Sequence, residues 1–266
     1  MAKVEESQFA MIFSRFEFHK RGEWKGRESI PDWFYSKAPF FLRHILWRRH
    51  LNMNSIILIV GGVRTGKSYM GLKIAETYCK LLNKKFDVNK QCSFDIIPFL
   101  KWSQDETDNV FVLDEVGVNL NPQEWYSVQS RVFRNFTQAQ GYLRNVMILV
   151  LPNISFLLKS IRFMCNYVLE TRNQGKGFIR KVAMDHSRGK GYLMNIGSIK
   201  FSLPSKETIK EYEKMKKIWN KEHLKEDIQY LLIDKEKKQR VIRFDQEVYQ
   251  KPIYHLPKSK FDEVPV

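Results

Sequence analysis

The sequence predicts an α/β fold: a central, mostly parallel sheet covered by helices, with a β-hairpin and a C-terminal helix added to it. Three observations predict it. The runs IILIV (56–60), NVFVL (109–113) and NVMILVL (145–151) are continuously apolar, as in strands buried on both faces. Helix-compatible segments separate them, which is the alternation of a covered parallel sheet. A Gly-rich turn, GGVRTGKS at 61–68, joins the first run to an amphipathic segment.

The elements follow in order. Residues 1–51 form a first unit, an arm or lid rich in aromatic and basic residues, within which 40–49 suits a short amphipathic helix with a basic face. Residues 52–203 form the core. After the strand at 56–60 and its turn, Met70, Ile74, Tyr78, Leu81 and Leu82 share one helical face. The strand at 109–113 precedes a polar, helix-compatible stretch at 123–140, which Gly141 breaks before the third strand. FIRKVAMD and YLMNIGSIKFSL flank HSRGKG and read as a β-hairpin with a basic loop. Residues 204–266 form the last unit. Ser205 caps a helix on which Ile209, Tyr212, Met215 and Trp219 recur, continued by Leu224, Ile228 and Leu231. Lys210, Lys214, Lys217, Lys221 and Lys225 occupy the opposite side, and the segment from Asp234 reads as a loosely held tail.

Composition bounds the partners. The 266 residues carry 45 Lys plus Arg against 29 Asp plus Glu, a net charge of +16, so a polyanion is the expected partner, nucleic acid ahead of a membrane surface. Three cysteines without metal-ligand spacing fit a reducing interior rather than a disulfide framework. The first residues lack an apolar signal core, and no apolar run approaches the roughly 20 residues of a membrane span. The expectation is a cytoplasmic chain with no membrane span.

Gly61, Gly66, Lys67 and Ser68 match G-x-x-x-x-G-K-[ST], the P-loop, and the strand before it and helix after it supply the required context. The nucleotide-binding residues expected are Gly61, Gly62, Val63, Arg64, Thr65, Gly66, Lys67, Ser68 and Tyr69. Glycines turn backbone N–H groups onto phosphate oxygens, and the helix beginning near Lys67 adds its positive end. Lys67 is expected on the β- and γ-phosphates, with the Ser68 hydroxyl on Mg²⁺. The strand at 109–113 delivers Asp114 and Glu115 at its C-terminal end, where ligands bind in open α/β sheets. Asp114 is expected to hold Mg²⁺ through its water shell, and Glu115 to polarise the attacking water. Asn153, just past the third strand, faces the same place if that strand lies between the other two; a plain Pro-Asn turn is the other reading.

With these motifs the chain resembles the FtsK–HerA superfamily of DNA-pumping ATPases, a RecA/ASCE-like class of P-loop NTPase, and within it the archaeal-virus DNA-packaging and zonular occludens toxin-like members. GGVRTGKSYMGLKIAE, VFVLDEVGVNLNPQEW, YLRNVMILVLPN and IKFSLPSKETIKEYEKMKK carry the likeness, over about residues 52–220. It implies ATP as the nucleotide, a homo-oligomeric ring of six, and sequence-independent threading of double-stranded DNA, with a capsid or membrane partner and, for a virus, the host cytoplasm as the setting. The family's strand-end polar residue is often Gln, and Asn153 stands there. It also implies an arginine acting on a neighbouring subunit's γ-phosphate. Arg131, Arg134, Arg144 and Arg162 are candidates, with Arg144 favoured as it directly precedes the third strand.

Arg188 and Lys190 in the hairpin loop fit a pore contact with DNA and fit a solvated tip equally; Trp125 and Tyr126 read as core or interface residues. The expected function is a DNA translocase motor that packages a viral or mobile-element genome. The alternative is a morphogenesis or secretion ATPase acting on protein. A phosphotransferase leaves the charge unexplained.

Overall fold

The computed structural model describes residues 40–115, 128–157, 159–173, 175–185, 187–188 and 190–249. The arm at 1–39, Trp125, Tyr126, His186 and residues 250–266 lie outside the described residues.

A seven-stranded sheet organises the chain. Its strands are β1 (Ser55–Gly61), β2 (Cys92–Ser93), β3 (Val110–Leu113), β4 (Val146–Leu151), β5 (Tyr167–Asn173), β6 (Lys176–Asp185) and β7 (Lys190–Lys200). Their spatial order is β2-β3-β4-β1-β5-β6-β7; the first five are parallel, and β6 and β7 complete an antiparallel edge. Among the described residues the α-helices are α1 (Phe40–His50), α2 (Lys67–Leu81), α3 (Val88–Gln91), α4 (Ile96–Asp105), α5 (Val128–Ala139), α6 (Lys159–Met164) and α7 (Lys206–Tyr249).

The continuous apolar runs are explained by two cores, one on each face of the sheet. Successive side chains of a strand point to opposite faces. Ile57 and Ile59 of β1 therefore join a cluster with Phe41 and Ile45 of α1, Met70 and Ile74 of α2, and Tyr212 of α7. Ile56, Leu58 and Val60 join the other cluster, with Phe99 of α4, Phe133 of α5 and Ile161 of α6. Truncating a fully buried ring such as Phe99 would cost about 3–5 kcal/mol.

Several elements differ from the expectations. The helix at 40–50 forms, and two of its basic residues are engaged within the fold: Arg48 donates to the Asn54 carbonyl (2.9 Å) and Arg49 pairs with Asp108 (2.8 Å). The segment from Asp234 is not a loose tail as far as Tyr249; it continues α7, because residues 206–249 contain no Gly or Pro and are rich in Lys, Glu and Gln. The apolar face of α7 divides. Tyr212 is buried, and Met215 and Trp219 pack on the core, whereas Leu224 and Leu231 are 61% and 70% exposed. Ser205 does cap α7, its hydroxyl accepting from the Thr208 N–H (3.2 Å), and Lys210, Lys214, Lys217, Lys221 and Lys225 are exposed. The three cysteines are free and buried. No helix among the described residues is long and apolar enough to cross a membrane.

Candidate active site

Strand register brings the motifs together. Val146 is level with both Ser55 and Val110, so β1, β4 and β3 start flush. Their C-terminal ends then present the 61–68 turn, Asn153, and the Asp114–Glu115 pair along one edge. β4 lies between β1 and β3, which is the condition placed on Asn153.

The turn has the backbone of a phosphate cradle. Gly61 has φ +154°, and a Cβ there would lie 2.1 Å from the Thr171 hydroxyl, so β5 leaves no room for a side chain. Arg64 (φ 62°) and Gly66 (φ 89°) are left-handed, and α2 starts at Lys67 with no acidic residue in its first turn. Its first N–H groups and positive end therefore face the turn. Thr65 donates to the Gly62 carbonyl (2.8 Å) and lies 2.7 Å from the Thr171 hydroxyl. Gly62, Val63 and Arg64 are exposed at the tip, while Ser68 and Tyr69 lie half-buried in the first turn of α2.

Lys67 folds back over the loop, donating to the Gly62 carbonyl (2.6 Å). Burial lowers its pKa, Glu115 and Asp114 oppose that, and Lys216 reinforces it, so Lys67, Lys216 and the acidic pair share one field.

Asp114 is buried, 2% exposed, directly after β3. Its Oδ1 accepts the Glu115 N–H (3.1 Å), and its Oδ2 accepts from the Tyr212 hydroxyl and from Lys216 Nζ (3.1 Å). Glu115 leaves the strand with φ 55° and accepts from Lys216 Nζ through Oε1 (3.0 Å). Burial pushes the Tyr212 phenol far above its ordinary range, with the Asp114 charge adding to that, so it stays a donor. For Lys216, burial lowers the pKa, but Asp114 and Glu115 outweigh it and the net direction is up; it stays an ammonium.

Asn153 is exposed, and its Oδ1 caps the following turn by accepting the Ser155 N–H (3.0 Å). Arg162 donates to the Leu157 and Ser155 carbonyls (2.5 and 3.2 Å) and braces that turn. Arg144 is elsewhere. It has φ 59°, two residues before β4, and is held by Asp108 (2.6 Å) at the opposite end of the strands, about 20 Å away by the rise of a six-residue strand. Arg131 and Arg134 are exposed on α5. Arg188 in the hairpin loop and Lys190 at the start of β7 are exposed, with Arg188 pairing to Asp185 (3.7 Å).

Sequence reasoning missed three contributors: Thr171, Tyr212 and Lys216. A signal existed for the last two. Lys216 stands one turn from Tyr212 on the apolar face of α7, and a lysine on that face needs a buried acid.

The residues fit a nucleotide with magnesium. The cradle excludes a Cβ at Gly61, and the donor set is hard oxygen: the Ser68 hydroxyl and the Asp114 carboxylate. Among the described residues no group of three or more His, Cys, Asp or Glu is placed to hold a metal alone.

No protein-family model matches the chain, and no curated protein matches its sequence. Solved structures resemble it at a distance. The N-terminal domain of zonular occludens toxin from Neisseria meningitidis is 15% identical, with TM-score 0.34, covering 58% of this chain and 96% of that one. The genome packaging NTPase B204 from Sulfolobus turreted icosahedral virus 2, in complex with ATP-gammaS, is 10% identical, with TM-score 0.37, covering 53% and 96%. A KaiC-like protein from Pyrococcus horikoshii OT3 is 14% identical, with TM-score 0.31, covering 56% and 91%. The site stands on the chain's residues.

Proposed function

We propose that the chain is a magnesium-dependent ATPase whose hydrolysis drives movement of double-stranded DNA, a motor of the genome-packaging kind. The observation that carries the hydrolytic part is the Asp114–Glu115 pair at the end of β3, beside the Lys67 loop, with β4 and Asn153 between them. Each residue has a distinct task. The N–H groups of the turn and Lys67 bind phosphate oxygens; Ser68 and Asp114 would hold the magnesium ion, which when bound neutralises charge on the phosphates. Glu115 orients a water and accepts its proton. Asn153 offers a short amide near the γ-phosphate position.

Excess positive charge of +16 supports nucleic acid as the cargo. Contacts with DNA are then phosphate contacts, sequence-independent and salt-sensitive. Assembly as a homo-oligomeric ring, six-fold by the resemblance, would bring a neighbour's arginine to the γ-phosphate. Arg144 is engaged by Asp108, which leaves the exposed Arg131 and Arg134 of α5 as the better candidates for that role. The alternative cargo is a protein, in virion morphogenesis or secretion, with a capsid or membrane partner.

The test is the ATP hydrolysis rate with and without long double-stranded DNA, beside Glu115→Gln. A rise with DNA that is lost in Glu115→Gln is the expected result. Hydrolysis that needs Glu115 but ignores DNA would favour the protein-moving alternative. Hydrolysis indifferent to Glu115 would remove the proposal.

A further inference from the structure

Lys216 is a charged side chain at the phosphate edge that the proposed hydrolysis does not use. It is not a stray surface lysine. Its Nζ lies 3.1 Å from Asp114 Oδ2, 3.0 Å from Glu115 Oε1 and 3.1 Å from the Tyr212 hydroxyl. Its ammonium also lies 5.8 Å from the Phe94 ring centroid and 5.6 Å from that of Tyr212. Phe94 in turn stacks on Trp219 (5.3 Å) and tilts against Tyr212 (5.7 Å). Three side chains of one helix face and one aromatic from the β2–α4 loop thus form a seat that holds a cation between two carboxylates.

That seat bears on metal uptake by a simple count. Asp114 Oδ1 already accepts the Glu115 N–H, and Oδ2 takes both Tyr212 and Lys216. A second cation recruited to the same oxygens meets the ammonium as a like charge at close range, where screening by water is weak. Two positive charges then compete for one pair of acids.

We infer that Lys216 is an internal counter-cation of the acidic pair, with Tyr212 as its anchor, and that α7 thereby sets how readily Asp114 and Glu115 serve a magnesium–nucleotide complex. Both are positioning residues, acting through the acids. The inference rests on the ATPase reading above and deepens it. Lys216 holds Glu115 through Oε1, so the site is restrained by its own chain.

The test is a magnesium titration of binding of a fluorescent ADP analogue to the full chain, which reads no turnover. In Lys216→Met the magnesium concentration for half-maximal binding should fall roughly fivefold, the upper range for a partly exposed ion pair. Lys216→Arg keeps the charge and should stay near wild type, as should Lys217→Met on the exposed face. Tyr212→Phe removes only the anchoring hydroxyl; it should lower the midpoint by less, and it serves if Lys216→Met does not fold. An unchanged or raised midpoint in Lys216→Met, beside normal magnesium-dependent binding in the wild type, would overturn the Lys216 assignment alone. Wild-type nucleotide binding that ignores magnesium would overturn this inference alone, whereas no nucleotide binding with or without magnesium would overturn the ATPase reading and this inference together.

Discussion

Strand β3 carries an aspartate at each end, and the two are built differently. Asp108, before the strand, is gripped by two arginines, Arg49 of α1 (2.8 Å) and Arg144 before β4 (2.6 Å). Asp114, after it, meets a lysine and a tyrosine from one face of α7 (Lys216 Nζ at 3.1 Å). Guanidinium forks are fixed in charge and geometry, and these two come from separate elements packed on the sheet. An ammonium is a compact point charge on a flexible stem. The difference teaches that one end of the strand is stapled while the other is held by a charge that can be exchanged.

Substitutions should separate the two ends. The largest effect on binding belongs to the phosphate edge: Lys67→Ala should weaken ATP binding roughly thirtyfold, about 2 kcal/mol for a charged hydrogen bond, with the unfolding midpoint unchanged by denaturant titration. At the other end, Asp108→Asn leaves two arginines without their acid and should lower stability by about 2 kcal/mol in the same titration, while nucleotide affinity stays as it was. Equal losses of affinity in both variants would erase the distinction.

Acid probes the sheet between them. His44 of α1 is lowered to a pKa of about 4, by burial first and by the Lys181 and Arg48 charges next. Its folded pKa is below the unfolded value, so protonation favours the unfolded chain. Stability is whole above about pH 6.5 and declines as pH falls toward 4. Between pH 7 and pH 5 the loss from this group is about 2 kcal/mol, and His44→Gln should flatten that part of the stability curve. The smallest effect belongs to Lys85–Glu207, a solvent-facing pair at 3.4 Å with side chains 80% and 66% exposed. Lys85→Ala should change stability by less than about 0.5 kcal/mol, and a larger change would show that surface charge matters more here than the buried clusters imply.

What was legible in the sequence follows the range of the forces involved. β1, β3 and β4 could be read because burial on both faces makes their sequences continuously apolar. The cradle could be read because its backbone demands glycine at fixed spacing. β2 has two residues, Cys92–Ser93, too few for any period to appear. β5 starts buried and ends exposed, so YVLETRN loses its apolar character midway. The true length of α7 was hidden by its charge, which reads equally as tail or as solvated helix. Tyr212 and Lys216 reach Asp114 from about a hundred residues away, and local pattern does not report such a contact. Arg144 precedes the third strand in the sequence, but its ion pair with Asp108 joins segments 36 residues apart, which adjacency does not report.

The most direct measurement is ATP turnover and unfolding midpoint taken together on Glu115→Gln and Asp108→Asn. Glu115→Gln should lose turnover roughly a hundredfold or more while still binding ATP and keeping its midpoint. Asp108→Asn should lose stability while each folded molecule turns over ATP at the wild-type rate. Wild-type turnover in Glu115→Gln would contradict the account.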